Sequence, residues 1–179
     1  MLIVNLYGQP GSGKSTAAAY IFSKLKMAGL NVELVPEYAK EKIWENNAEV
    51  FKNQAYIFGK QFFRISRCEG KVDVVVTDSP LLLSVLYNND DRLGEPFNET
   101  VKRVASYYES LNYLLTRVSH YNPIGRQQTE EESDALIEPL KKILDECCEY
   151  TELPGDVTSY DKIAQTIIDM FVAKEKGNR

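Results

Sequence analysis

The sequence predicts a three-layer α/β domain, a parallel five-stranded sheet with helices on both faces. Three observations predict it. Short runs of aliphatic and β-branched residues alternate with segments of helical period along the chain, and such alternation calls for right-handed βαβ crossovers. The first apolar run leads straight into a glycine-rich turn and then a helix, the arrangement of a phosphate-binding βα unit. At 179 residues with 44% hydrophobic composition, the chain closes one core, and no repeat, low-complexity stretch or long linker divides it. A single domain over 1–179 is expected.

Leu2–Tyr7 is apolar throughout, as suits a strand buried on both faces. From Lys14 to about Met27 the apolar spacing is helical, and Ala28-Gly29 stops it. Val32–Val35 is a second strand, closed by Pro36, and Lys40–Val50 and Asn53–Cys68 read as helices. Val72–Thr77 is a third strand, rich in valine and ended by Asp78-Ser79-Pro80. A short helix covers Leu81–Tyr87, and Asn88–Pro96 is a polar loop. Glu99–Leu111 is helical and Tyr113–Val118 is a fourth strand. His120–Ser133 has the composition of a mobile loop, with Asn-Pro, Gly, Gln-Gln and an acidic run, so a lid is expected at about 119–133. Ala135–Cys148 is a helix, Tyr150–Leu153 a fifth strand and Tyr160–Ala173 a closing helix.

The formal charge of −5 argues against coating nucleic acid by bulk electrostatics, though a local basic patch stays open. Three cysteines, Cys68 and the adjacent Cys147 and Cys148, give no disulfide framework and no zinc spacing, so a reducing cytoplasm is the natural setting. The apolar start is too short for a signal peptide, and no run approaches the ~18 residues of a membrane span. Trp44 and His120 suggest no role.

Gly8-Gln9-Pro10-Gly11-Ser12-Gly13-Lys14-Ser15 fits G-x-x-x-x-G-K-[ST] without a mismatch. Glycines at 8, 11 and 13 let successive backbone N–H groups converge on phosphate oxygens, Ser12 among them. The helix N-terminus adds partial positive charge. Lys14 is expected to reach the β- and γ-phosphates of ATP, Ser15 to ligate Mg2+, and Thr16 to donate near the α-phosphate.

Ligands of such sheets bind beyond the carboxyl ends of the strands. Asp78 ends the third strand there and is a candidate magnesium carboxylate; Asp-Ser-Pro also suits a helix N-cap. Glu37 follows the second strand on the acceptor side and could take the proton from an attacking hydroxyl, or be a solvated loop acid. Either carboxylate could be the base. In the loop after the fourth strand, Arg126 could close over the γ-phosphate in the transition state, while Arg117 could contact the adenine side. Within Asn53–Cys68, Gln54, Tyr56, Gln61, Arg64 and Arg67 stand among aromatics and could read a base edge and hold an anion, or form a solvated stripe.

The motifs GxxxxGKST, Pro36-Glu37-Tyr38-Ala39-Lys40-Glu41, the Gln54-bearing helix, Thr77-Asp78-Ser79 and the arginine-bearing loop resemble the P-loop kinases of small metabolites and nucleotides. The chain is most similar to the nicotinamide-riboside-kinase-like domain of NAD-biosynthetic regulators, and to small phage proteins labelled ATPases or kinases. Some of these resemble enzymes that phosphorylate 5-hydroxymethyluracil in DNA. The resemblance implies a P-loop NTPase fold with sheet order 2-3-1-4-5 and ATP-dependent transfer to a hydroxyl of a nucleoside, nucleotide or related compound, a hydroxymethylated pyrimidine in DNA included. It places Glu37, Tyr38, Gln54 and Arg64 on the acceptor side; no membrane partner is expected, and the protein is expected to be a monomer or homodimer. The second carboxylate that the metabolite-kinase domain carries shortly after the strand-end Asp is replaced here by Ser79-Pro80.

The competing class is a P-loop ATPase of regulatory or mechanical role. A glutamate directly after Asp78 would favour it, and Ser79 stands there; the extra helical domain of ring ATPases is also lacking. A guanine-nucleotide switch would need Asn-Lys-x-Asp, which is absent.

Overall fold

In a computed structural model, which describes residues 1–124 and 128–177, five parallel strands form one sheet. They are β1 (Leu2–Tyr7), β2 (Val32–Val35), β3 (Val74–Thr77), β4 (Ser110–Thr116) and β5 (Thr151–Pro154). Their order is β2-β3-β1-β4-β5. The expected doubly covered parallel sheet is therefore present, with β1 at its centre.

The strands alternate their buried residues between two helical layers. Val4 and Leu6 of β1 face α1 (Lys14–Met27) and α8 (Val157–Gly177), where Ile21, Leu25, Ile163 and Ile167 are fully buried. Ile3 and Tyr7 face the other layer: α3 (Gln54–Ser66), α4 (Leu83–Leu86), α5 (Gly94–Ser106) and α7 (Ile137–Cys147). Helices cover both faces of the central strands β1 and β3, which is why their runs stay apolar instead of alternating with polar residues. A polar pair sits inside the sheet. Asn5 and Asn112 oppose each other in the β1–β4 register; Asn5 Nδ2 donates to Asn112 Oδ1 at 2.9 Å, and Asn112 Nδ2 donates to the Glu149 carbonyl at 3.0 Å. Register pairs Asn5 and Val35 both with Thr77, so β1, β2 and β3 deliver their carboxyl ends to one place.

Several boundaries differ from the sequence expectation. The helix expected over Lys40–Val50 is two pieces, α2 (Tyr38–Trp44) and a 3-10 turn at Ala48–Lys52. Asn46 adopts φ 55°, and the Asn47 N–H reaches back to the Lys42 carbonyl at 3.0 Å, a left-handed helix stop that asparagine tolerates. Helix α5 begins at Gly94, inside the expected loop, because Pro96 falls in its first turn, where no N–H is needed. It ends at Ser106 rather than Leu111, and β4 starts at Ser110, since Leu111 is taken into the sheet beside Val4. Strand β4 also stops at Thr116, two residues before Val118. Part of the expected mobile loop is a helix, α6 (Glu130–Ala135). The Thr129 side chain accepts from the Glu132 N–H, and the Glu132 carboxylate accepts from the Thr129 N–H, a reciprocal capping box. No helix among the described residues is long and apolar enough to cross a membrane.

Candidate active site

The loop between β1 and α1 is shaped by what presses on it from behind. Gly13 caps α1 with φ 89°, and a Cβ there would stand 2.5 Å from the Tyr160 hydroxyl of α8. Gly155, just after β5, donates its N–H to the Thr116 carbonyl at 2.8 Å; a Cβ on it would lie 2.2 Å from the Ser12 carbonyl. A buttress this close holds the loop curled. Gly155→Val should force the two backbones apart and cost about 1–3 kcal/mol of stability. Urea unfolding should show that loss, and nucleotide titration should show weakened binding.

Inside the loop, Lys14 Nζ donates to the carbonyls of Gly8 at 2.8 Å and Gln9 at 3.1 Å. Ser12 Oγ and Gln9 Oε1 are buried without a hydrogen-bond partner among the described residues. Orphaned polar atoms beside a curl that only glycine fits are what a phosphate cradle requires. The first turn of α1 holds no acid to oppose an anion.

In front of the loop lies a pocket of about 420 Å³. It brings together Gly11, Gly13, Lys14, Ser15 and Thr16 from the phosphate loop with Glu37, Asp78 and Gln54 from the ends and flanks of the neighbouring strands. Gly8 and Ser12 sit behind this rim, as the partners of Lys14 and Gly155 described above.

Asp78 is 4% exposed, and its Oδ1 accepts the Glu37 N–H at 2.9 Å, tying the ends of β2 and β3 together. Gln61 reinforces the tie. Its Oε1 accepts the Tyr38 N–H at 3.1 Å and its Nε2 donates to Thr77 Oγ1 at 3.4 Å. The Gln61 amide is thus spent on holding two strand ends, not on a base edge. Gln61→Leu should leave the buried Tyr38 N–H unpaired and cost about 1–3 kcal/mol, read as a lower urea midpoint.

The Glu37 carboxylate makes no hydrogen bond or ion pair with any described residue. Burial pushes its pKa up from the ordinary 4.5; the Lys14 ammonium opposes this, Asp78 adds to it, and Lys40 opposes it. Tyr87, missed in the sequence reading, lines the same pocket; its hydroxyl is raised to about 12 by burial and by the Glu37 charge, so it stays a donor. Nothing local in the sequence marks Tyr87, which arrives at the end of α4. Gln54 is 5% exposed, with its side-chain amide unbonded to any described residue.

Two expected acceptor residues lie outside the lining. Tyr38 is buried with its hydroxyl donating to Tyr56 Oη at 3.0 Å. Arg64 forks onto both Glu41 oxygens at 2.8 Å. Arg117 follows β4 and closes over the phosphate loop instead of pointing to open solvent. It pairs with Asp134 and with Glu130 at 3.3 Å, lies 5.2 Å from the Tyr121 ring, and keeps Nη1 buried without a partner among the described residues. Ser133 Oγ donates to the Pro10 carbonyl at 2.8 Å, so α6 is docked on the phosphate loop. Arg126 lies outside the described residues.

No group of three or more His, Cys, Asp or Glu that could hold a metal exists among the described residues. A divalent cation here would rely on Ser15, Asp78 and the oxygens of a bound nucleotide, the ligand set expected at a phosphate loop. A family model described as an AAA domain matches residues 3–159. The chain belongs to the AAA domain family. This AAA domain is a nucleotide-binding domain of the P-loop NTPase type, whose chemistry is hydrolysis or transfer of a nucleoside triphosphate's terminal phosphate. No curated protein matches it.

Proposed function

We propose that this AAA domain is a kinase that moves the γ-phosphate of ATP to a hydroxyl of a nucleoside, nucleotide or related compound, with a hydroxymethylated pyrimidine in DNA among the acceptors. One observation carries the reading. The Glu37 carboxylate, unpaired among the described residues, has a raised pKa and lines the same pocket as Lys14, Ser15 and Asp78. A desolvated acid kept without a partner among the described residues has a cost to the fold, and a general base is the role that needs it.

In this mechanism the loop amides and Lys14 fix the triphosphate, and Ser15 and Asp78 would hold magnesium, which supplies charge neutralisation. Glu37 accepts the proton of the acceptor hydroxyl as that oxygen bonds to the γ-phosphorus, and the bond to the bridging oxygen breaks to release ADP. Lys14 stabilises the charge shared by the three γ-oxygens. The acceptor side has apolar walls from Ile43, Phe51, Ile57 and Leu83, with the unspent Gln54 amide among them. This suits a flat ring with a donor–acceptor edge.

The family description favours a second reading, hydrolysis with water in the acceptor's place; Ser79 directly after Asp78 weighs against it. Labelled γ-phosphate offered with nicotinamide riboside, deoxynucleosides, their monophosphates, and DNA with and without 5-hydroxymethyluracil separates the two. Label on one acceptor is the expected result. Free phosphate released at one rate with or without every acceptor would establish hydrolysis.

A further inference from the structure

Helix α3 buries Phe58, Gln61 and Ile65 on one side. Its other side carries Tyr56, Lys60 and Phe63, with Arg67 at its C-cap, at successive steps of four, three and four residues, so they stand one above the next. All four are exposed, Phe63 by 65% and Tyr56 by 43%. Helix α2, packed on α3, ends in Trp44, which is 62% exposed. Gly59 lies on the same face between the two rings. Glycine is disfavoured in a helix interior, and a Cβ at this position would meet nothing within 4 Å, so packing inside the fold does not call for it. It leaves bare backbone between Tyr56 and Phe63.

The charge here runs against the rest of the chain. Residues 38–71 hold seven Lys and Arg against four Glu, in a chain of net charge −5. Those four acids are already engaged: Glu41 by Arg64, Glu45 by Lys42, Glu49 by Lys52 and Glu69 by Tyr108. Lys60 and Arg67 form no ion pair with any described residue, and the Lys60 ammonium lies 5.3 Å from the centre of the Tyr56 ring.

We propose that this face of α3 binds single-stranded nucleic acid. Exposed rings alternating with cations that form no ion pair among the described residues match a chain in which bases alternate with phosphates: bases stack on Tyr56 and Phe63, and phosphates meet Lys60 and Arg67. A duplex hides its base faces and would leave the rings unused.

The test needs no ATP, so its result stands apart from the phosphate-transfer reading. The full chain is titrated against a fluorescent oligothymidine, followed by anisotropy at several salt concentrations. Association is expected at about 10⁻⁶–10⁻⁴ M, weakening with salt. Phe63→Ala should weaken it by at least about fivefold. Lys60→Gln and Arg67→Gln should each make the salt slope shallower by about 0.7, and Lys26→Gln on α1 should change neither. Circular dichroism establishes that each variant folds. No association by about 10⁻⁴ M, or association indifferent to the three α3 substitutions, would overturn the proposal. So would a homodimer that Phe63→Ala dissolves while the oligonucleotide stays unbound.

Discussion

Replacing Lys14 with Ala should abolish nucleotide-dependent turnover and leave the sheet standing. The ammonium is the one cation built into the curl of the phosphate loop, donating to the Gly8 and Gln9 carbonyls. In the proposed reaction those bonds give way to the β- and γ-phosphates, and the charge is most needed when the γ-oxygens share it in the transition state. Losing a preorganised donor of this kind costs about 10²–10³ in rate. The fold is hurt far less, because Lys14 is only half-buried and two loop carbonyls lose one partner, about 1 kcal/mol. Circular dichroism should match the parent protein and the urea midpoint should fall only slightly, while turnover disappears. Retained turnover would remove Lys14, and the phosphate site with it, from the mechanism.

The second large effect is expected at Glu37. Glu37→Gln keeps the shape and removes the proton acceptor, so kcat should fall by about 10²–10⁴ while ATP affinity stays close to the parent value. The pH profile carries more information than the rate alone. Only the carboxylate accepts a proton, so parent turnover should rise with pH through the raised pKa of Glu37, and this limb should be missing in the variant. Stability should move the other way. A folded-state pKa above the ordinary 4.5 means the folded protein holds the proton more tightly than the unfolded chain. Stability is then full below pH 4.5 and lost as pH rises through the folded value. Glu37→Gln should therefore be more thermally stable than the parent at neutral pH and indistinguishable from it in acid. A variant with parental turnover would take Glu37 out of the chemistry; one with parental pH dependence of melting would contradict the burial argument.

How far the sequence could be read follows from how local each signal is. The phosphate loop was legible because eight consecutive residues and their flanking elements specify it. The strand-end positions of Glu37 and Asp78 were legible because β2 and β3 end in Pro36 and in Asp-Ser-Pro. Features that depend on pairing across the chain were not. Gln54 and Gln61 look equivalent on one helix, yet packing spends Gln61 on the Tyr38 N–H and Thr77 and leaves Gln54 open to the pocket. Arg64 faces Glu41 only once α2 lies against α3. Arg117 meets Asp134 and Glu130 only once α6 docks on Pro10. Two misses had local signals that composition obscured. Asn46-Asn47 could have marked the end of α2, and Thr129-x-x-Glu132 is a capping box within a stretch whose polarity suggested only a loop.

The central claim is that the curl between β1 and α1 grips a triphosphate and presents its terminal phosphate to Glu37. A crystal structure with a non-hydrolysable ATP analogue and magnesium tests it most directly. The expected result is phosphate density wrapped by the amides from Gly8 to Thr16, metal beside Ser15 and Asp78, and the γ-phosphate turned toward Glu37. An analogue bound elsewhere, or a γ-phosphate turned away from Glu37 with another carboxylate facing it, would contradict the account.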